Sequence, residues 1–354
     1  MESGIVNQIE HLGRSYAASD TSNYNVGHRF DVVYTKSPLK AFPFGIVKQC
    51  KYEGEVALSP LYGVFTPKNR HVGLMIEAFF EAPERAQAFL APLCQKGAKN
   101  TLQITNATFL SGRMALPKEE GEQEKIAECL ASLDALIGTQ GRKVEALRDH
   151  KRGLMQQLFP QEGETQPRLR FPEFKGAGEW EEVTVDELIH TVTPPKKLQT
   201  SEYQLEGDFP IIDQSLTSIC GWTNDGEALV DKGLPLIIFG DHTCALKFVN
   251  RPFAQGADGI KIIKPKRGID TRFLFFALEA NPVEQDGYKR HFSALKEKLV
   301  SFPDPKSGEQ QRIADCLTSL DDRIAAEARK LETLKTHKKG LMQQLFPAIE
   351  EQKS

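Results

Sequence analysis

The chain writes one stretch of sequence twice, and the duplication limits what it can build. Glu122 to Pro160 reads EQEKIAECLASLDALIGTQGRKVEALRDHKRGLMQQLFP, and Glu309 to Pro347 reads EQQRIADCLTSLDDRIAAEARKLETLKTHKKGLMQQLFP. The copies lie 187 positions apart without a gap, and 24 of the 39 aligned pairs are identical. A solenoid needs each unit to stack on many neighbours, so two copies are too few. With a domain-sized stretch between them, they predict a molecule with two equivalent ends.

Each copy carries an apolar seam. In the first it runs Ile126, Leu130, Leu133, Ile137, Val144, Leu147, Leu154 and Leu158; in the second, Ile313, Leu317, Leu320, Ile324, Leu331, Leu334, Leu341 and Leu345. Steps of four and three continue throughout once Gln140 and Lys151, or Glu327 and Lys338, take two seam positions. That alternation marks a coiled coil rather than a helix lying on a globule. Ser307 and Gln310 have capping-box spacing. Acids gather near the starts and bases near the ends, as the helix dipole favours, and Pro160 and Pro347 stop both helices. About 34 residues rising ~1.5 Å each give a rod of roughly 50 Å. One such helix alone reads equally well as a dimerisation stalk. Two matching ones favour antiparallel pairing within the chain.

At 354 residues the length suggests two or three domains. A net charge of −3 and 40% hydrophobic residues are ordinary for a soluble protein. No apolar run reaches membrane-spanning length, and Met1 to Asp20 is too polar and mixed for a secretory leader, so a cytoplasmic location is expected. The six cysteines never approach Cys-x-x-Cys spacing, so neither a metal site nor a disulfide framework is indicated, and no cofactor is expected. Charge is unevenly placed despite its balance. Seven bases lie between Cys244 and Arg272, and seven between Val26 and His71. A solvated surface explains either run, but one in each half is what phosphate contact would need.

The stretch before each helix has strand-like runs punctuated by Gly and Pro. The second includes Phe209 to Ile212, Leu234 to Phe239 and Gly259 to Ile263, then a helix expected at Thr271 to Ala280. The first has Phe30 to Tyr34, Val56 to Phe65 and a helix expected around Gly73 to Leu90. Both read as mixed α/β units. Ile5-Val6-Asn7-Gln8 aligns weakly with Ile211-Ile212-Asp213-Gln214, and Val32-Val33-Tyr34-Thr35 with Ile237-Ile238-Phe239-Gly240. Met1 then falls near Gly207, so the first unit is expected to lack a counterpart to the residues from Trp180 onward.

The twin helices, their Gly-Leu-Met-Gln-Gln-Leu-Phe-Pro endings, the linker Arg170-Phe171-Pro172-Glu173-Phe174 running to Trp180, and the entries Leu116-Pro117 and Phe302-Pro303 carry a resemblance. The chain resembles the specificity (S) subunit of type I restriction–modification enzymes, with a shortened first target-recognition domain. The resemblance implies an α+β fold of two mixed α/β target-recognition domains separated by two long antiparallel coiled-coil helices. The expected divisions are a first recognition domain at 1–117, incomplete at its amino end, a helix at 118–160 and a linker at 161–179. A second recognition domain at 180–305, a helix at 306–347 and a tail at 348–354 follow. It further implies partners: double-stranded DNA, methyltransferase (modification) subunits docked on the helices, and a restriction/translocase subunit. Its helix residues Ile126, Leu130, Leu133, Ile137, Leu147, Ile313, Leu317, Leu320, Ile324 and Leu334 would form the seam and partner scaffold. A rod of ~50 Å exceeds a DNA turn of ~34 Å, so two domains could reach successive major grooves.

No catalytic residue is expected. Asn281-Pro282 is followed by Val283 instead of the Pro-aromatic pair of an adenine methyltransferase loop, and no Gly-Lys dipeptide offers a Walker A loop. Pro303-Asp304-Pro305-Lys306 reads as a turn. Asp241-His242-Thr243, after a strand, lacks a paired nucleophile for a triad. It reads as a loop-capping or base-contacting cluster, with Tyr34-Thr35-Lys36-Ser37 at the matching strand end of the first unit. Lys36, Lys40, Lys247 and Arg251 would then meet phosphates. The rival readings are a coiled-coil adaptor for proteins without DNA specificity, and an enzyme with a divergent site at His242.

Overall fold

A computed structural model describes residues 4–17, 20–96, 102–161, 163–257, 259–287 and 289–347; Met1 and the tail at 348–354 lie outside them. The chain divides into two compact units, Met1–Arg142 with Ala328–Ser354, and Lys143–Glu327. Both boundaries fall inside the long helices, α5 (Glu120–Leu158) and α9 (Glu309–Leu345), so each unit holds part of both.

The helices pair antiparallel. In the first unit Asp134 of α5 meets Lys338 of α9; in the second, Lys143 meets Glu327 and Lys151 meets Asp321. Rising numbers on one helix meet falling numbers on the other. Leu130, Leu133, Val144, Leu158, Ile313 and Leu317 are buried, whereas Ile126, Ile137, Leu147, Leu320, Ile324 and Leu334 are half-buried. Val144 and Leu133 are buried in the helix pair itself, whereas the other buried seam residues gain a third wall from a globular core. Leu130 joins Met342 and Phe346 in one such core, and Leu158, Ile313 and Leu317 join Trp180 and Phe273 in another. The capping box is a correction. Ser307 Oγ does accept the Glu309 N–H (3.2 Å), but the Gln310 amide turns away, donating to Pro303 O and accepting the Asp270 N–H.

The first unit is built on a three-stranded antiparallel sheet: β2 (Val32–Tyr34) between β3 (Val47–Gln49) and β5 (Gly63–Phe65), with Val33 opposite Lys48 and Val64. A ribbon of β1 (Asn25–Gly27) and β4 (Val56–Leu58) and another of β6 (Gln95–Lys96) and β7 (Leu102–Gln103) flank it in sequence. The helix expected over Gly73 to Leu90 is two: α2 (Arg70–Glu81) and α3 (Pro83–Leu90). Pro83 disfavours helical backbone at the residue before it, and Ala82 is extended. Asn69 starts α2 by accepting the Val72 N–H, and Met75, Phe79 and Phe80 pack on Val32 and Tyr34. A short α4 (Asn106–Ser111) adds Phe109 to that core. Ile5 and Val6 do not form the strand their alignment suggested. Asn7 caps α1 (Gln8–Leu12) instead.

In the second unit β13 (Leu236–Gly240) lies between β14 (Leu246–Val249) and β16 (Ile260–Pro265), with β9 (Ile189–Val192) beyond β16. All five β13 residues are buried because both sheet faces are covered. Ile237 and Phe239 face the core that holds α7 (Thr271–Ala280), while Leu236 and Ile238 face that of Ile212, Val230 and Phe253. This is the period-two alternation of a strand with two cores. The second face belongs to a sheet of β11 (Gly221–Thr223), β10 (Phe209–Ile212), β15 (Phe253–Gln255) and β12 (Leu229–Val230), with β10 parallel to β15. A last ribbon pairs β17 (Leu299–Phe302) with β8 (Glu181–Thr184), and α6 (Val185–Leu188) and α8 (Phe292–Glu297) complete the unit. Strands β2, β3 and β5 before α2 thus repeat the order of β13, β14 and β16 before α7, as the alignment of Val32 with Ile237 requires. Among the described residues the first unit's sheet has no strand matching β9.

Candidate nucleic-acid interface

The loop after the central strand differs between the units, a long connection from Thr35 to Ile46 in the first and a tight turn from Asp241 to Ala245 in the second. Each holds a non-glycine residue in left-handed backbone, Lys36 at φ 53° and Cys244 at φ 54°. In each, a side chain of the loop also reaches the start of a short helix further along the chain, α4 or α8. Lys36 Nζ donates to Asn106 Oδ1 at 2.9 Å, and Asp241 Oδ1 accepts the N–H groups of His291 and Phe292, both at 2.9 Å.

In the second unit three segments converge on that turn. Thr243 Oγ1 donates to Gln214 O at 2.6 Å, Gln214 Oε1 accepts the His242 N–H, and Lys247 Nζ donates to Asp213 O at 2.7 Å. A Cβ at Gly240 would stand 2.3 Å from Thr243 Oγ1, and one at Gly259 2.7 Å from Gln214 Oε1, so only glycine lets Gln214 seat there. On the other side Gln285 Nε2 donates to His242 O, and His242 Nδ1 lies 3.1 Å from Lys289 O. The buried His291 accepts the Asp286 N–H at Nε2, which puts its ring proton on Nδ1, 3.1 Å from Asp241 O. The result is a pinned surface whose exposed tips are Leu216, Thr217 and Ser218 from one loop and Lys289 and Arg290 from another.

This geometry redistributes the roles expected from sequence. Asp241 is buried and caps a helix, and Thr243 braces a neighbouring loop. Lys247 is turned inward; burial lowers its pKa, against the pull of Asp213. Burial opposes ionisation of Asp213, but hydrogen bonds from Ser215 and the charge of Lys247 hold its carboxyl below the ordinary value. His242 stays half-buried at the surface. Arg251 is not brought to this cluster: it follows β14, at the opposite end of the β13–β14 hairpin, with its guanidinium 5.9 Å from the Trp222 ring centroid. In the first unit Tyr34 is fully buried, donates to Phe44 O at 2.6 Å, and has its hydroxyl pKa pushed far up by burial. It cannot touch DNA as placed. Thr35 bonds across to Ile46, and burial lowers the Lys36 pKa; Ser37 and Lys40 are exposed. Sequence reasoning missed Gln214, Gln285, Lys289 and Arg290. They reach the turn only through the fold, with Gln214 delivered by the parallel β10–β15 pairing.

Among the described residues no group of His, Cys, Asp and Glu could hold a metal ion, and no helix is long and apolar enough to cross a membrane.

Residues 177–336 match the family described as the type I restriction modification DNA specificity domain. The MjaX type I specificity subunit of Methanocaldococcus jannaschii is 28% identical over 276 residues, covering 71% of this chain and 62% of that protein. The MjaVIII specificity subunit of the same organism is 26% identical over 278 residues, with coverages of 69% and 63%. The chain therefore spans less than two thirds of the length of either relative. Among solved structures, the S subunit of a type I restriction–modification system from M. genitalium shares the fold at a TM-score of 0.62 and 14% identity, over 92% of this chain and 84% of that one. A chain from a structure concerned with complex assembly and conformational transition of the type I system matches at 0.50 and 15%, over 94% and 85%.

Proposed function

We infer the function of this chain from its family: it belongs to the specificity subunits of type I restriction–modification systems, and we propose that it reads DNA for such a complex. In this reading each recognition fold reads one half of a bipartite target in double-stranded DNA. The helix pair scaffolds the modification (methyltransferase) subunits and, through that assembly, the restriction/translocase subunit. The chain performs no catalysis itself and acts in the cytoplasm. The observation that carries the proposal is the specificity-domain match over 177–336, which contains the pinned surface around Gln214 and His242. Exposed Thr217, Ser218 and Arg290 supply hydroxyls and a cation that base edges and phosphates accept, and Lys289, paired with Asp286 at the surface, lies beside them.

Methylome sequencing of cells expressing the chain with the modification subunit of its own system tests this. One bipartite motif should become methylated, and it should vanish when the chain is omitted. Methylation without a defined motif, or none despite a stable complex, would favour the protein-adaptor reading.

A further inference from the structure

The same three-part joint occurs once in each unit. In the second unit Lys151, on α5, donates to Asp321 of α9 at 2.9 Å and to Glu279 of α7 at 2.9 Å. In the first, Lys338, on α9, donates to Asp134 of α5 at 2.6 Å and to Glu81 of α2. The lysines occupy the same position of the repeat, and so do the two aspartates, so that half of each joint follows from the duplication. The glutamates do not. They lie outside the repeat, in recognition folds of different sequence, yet both sit at the end of the helix that follows the sheet, α2 or α7.

Stability alone is a poor reason for such a joint. Both lysines stand at seam positions where an apolar residue would satisfy the period, and their side chains are only 12% and 10% exposed. A buried ion pair often stabilises no more than a well-packed apolar replacement, whereas a polar seam residue can fix register and orientation. Lys151 also lies 5.0 Å from the Phe276 ring centroid, which holds its amine over α7. Each lysine therefore ties three helices: the two of the coiled coil, and one belonging to the recognition fold of the same unit.

We propose that Lys151 and Lys338, with Glu279 and Glu81, are positioning residues for target spacing, because each joint fixes the angle at which a recognition fold leaves the helix pair. The proposal rests on the reading of this chain as a specificity subunit. One added base pair separates half-sites by ~3.4 Å and rotates them by roughly 35°. A rigid joint refuses that change; a loosened one tolerates it. Spacer discrimination is then a property of these two joints as well as of helix length.

The test uses the full chain with the modification subunit of its own system, read by methylome sequencing. Glu81→Gln and Glu279→Gln keep shape and remove the charge; Glu81→Asp and Glu279→Asp keep the charge and withdraw it. The wild type should methylate one spacer length. Each Gln variant should still methylate that target and raise methylation of sites one base pair longer or shorter by about tenfold, as weakening of the charge-assisted hydrogen bond to the seam lysine allows; Glu81→Gln also weakens the bond that Lys48 donates to the same carboxylate. The Asp variants should fall between. An unchanged spacer profile with the native target still methylated would overturn the proposal, as would a uniform loss at every site, which is what a purely structural role gives. If the wild type methylates no bipartite target, the specificity-subunit reading itself fails, and the proposal with it.

Discussion

Arg170 and Glu309 form a two-pronged ion pair, Nε to Oε1 and Nη2 to Oε2, each at 2.7 Å. It fastens the linker of the second unit to the first residue of α9, and Arg170 Nη1 also donates to Ala177 O. Beside it Arg312 bonds Glu173 and lies over the Phe171 ring. The linker motif thus has a physical job as a strap on the helix start. Glu122, at the same repeat position in α5, is exposed. Identical residues in the two copies have different fates because, among the described residues, a linker strap holds Glu309 and none holds Glu122.

That difference supplies an internal control. Glu309 is 1% exposed at its side chain, so Arg170→Ala strands a buried carboxylate and should destabilise the second unit by about 3 kcal/mol. Replacing Arg170 and Glu309 together with methionine should recover most of the loss, and Glu122→Gln should cost little. Urea denaturation of the four proteins measures this. Equal effects of the Arg170 and Glu122 changes would show that the strap carries no special weight.

A second contrast lies within α5. Leu130 is fully buried and Leu136 is 52% exposed. Leu130→Ala should cost ~2–5 kcal/mol through lost burial and the cavity left behind. Leu136→Ala should stay within about 0.5 kcal/mol, as surface changes do. Chemical denaturation followed by helical circular dichroism would reveal the reverse order if the seam were rotated.

The long helices and the Thr271–Ala280 helix were legible because their signals are local. A four-three period and terminating prolines act within a few residues, and so does the Asp270 cap that the structure places at the start of α7. The site was less legible. Tyr34 was expected at a strand end facing solvent, but three successive residues of β2 are buried, so alternation gave no warning. Lys247 reads as a surface cation until the fold sets Asp213 beside it. Gln214 is anonymous in sequence and acquires its place from a sheet whose partner strand lies some forty residues onward. Long-range pairing, which no local pattern encodes, decides all three.

The first unit should be sensitive to pH at both extremes. Burial opposes charge on Lys338 and Lys48, but the neighbouring carboxylates outweigh it and raise both pKa values. The Lys338 contribution is full below the unfolded lysine value of ~10.4 and is lost as pH rises through the higher folded value. Burial also opposes ionisation of Glu81, but Lys48 and Lys338 outweigh it and lower its pKa. That contribution is full above the unfolded value of ~4.3 and is lost as pH falls through the lower folded value. Asp134, Glu77 and Lys51 share the cluster. Melting temperature should therefore be flat near neutrality and fall on both sides, and Glu81→Gln should flatten the acid limb. An acid limb unchanged by that substitution would place its origin elsewhere.

On the proposed role, the salt dependence of DNA binding should distinguish the two ends of the second unit's sheet. Lys289 O lies beside His242 Nδ1 and exposed Arg290 follows it in the chain, while Arg251 lies at the far end of the β13–β14 hairpin. If the pinned surface meets DNA, Arg290→Ala should weaken binding to all sequences and reduce the slope of log K against log salt by about 1, as one lost phosphate contact does, and Lys289→Ala should reduce it by less, since that amine already pairs with Asp286. Arg251→Ala should leave the slope unchanged. Lys247→Ala should also leave it unchanged, since that amine is spent on Asp213, but it should blur base preference by releasing the turn that carries Gln214. The assay is a salt titration of the chain with its modification subunit on DNA containing its methylated motif. A slope that falls with Arg251→Ala and not with Lys289→Ala or Arg290→Ala would turn the DNA to the opposite end of the sheet, and the pinned surface would lose its claim to read bases.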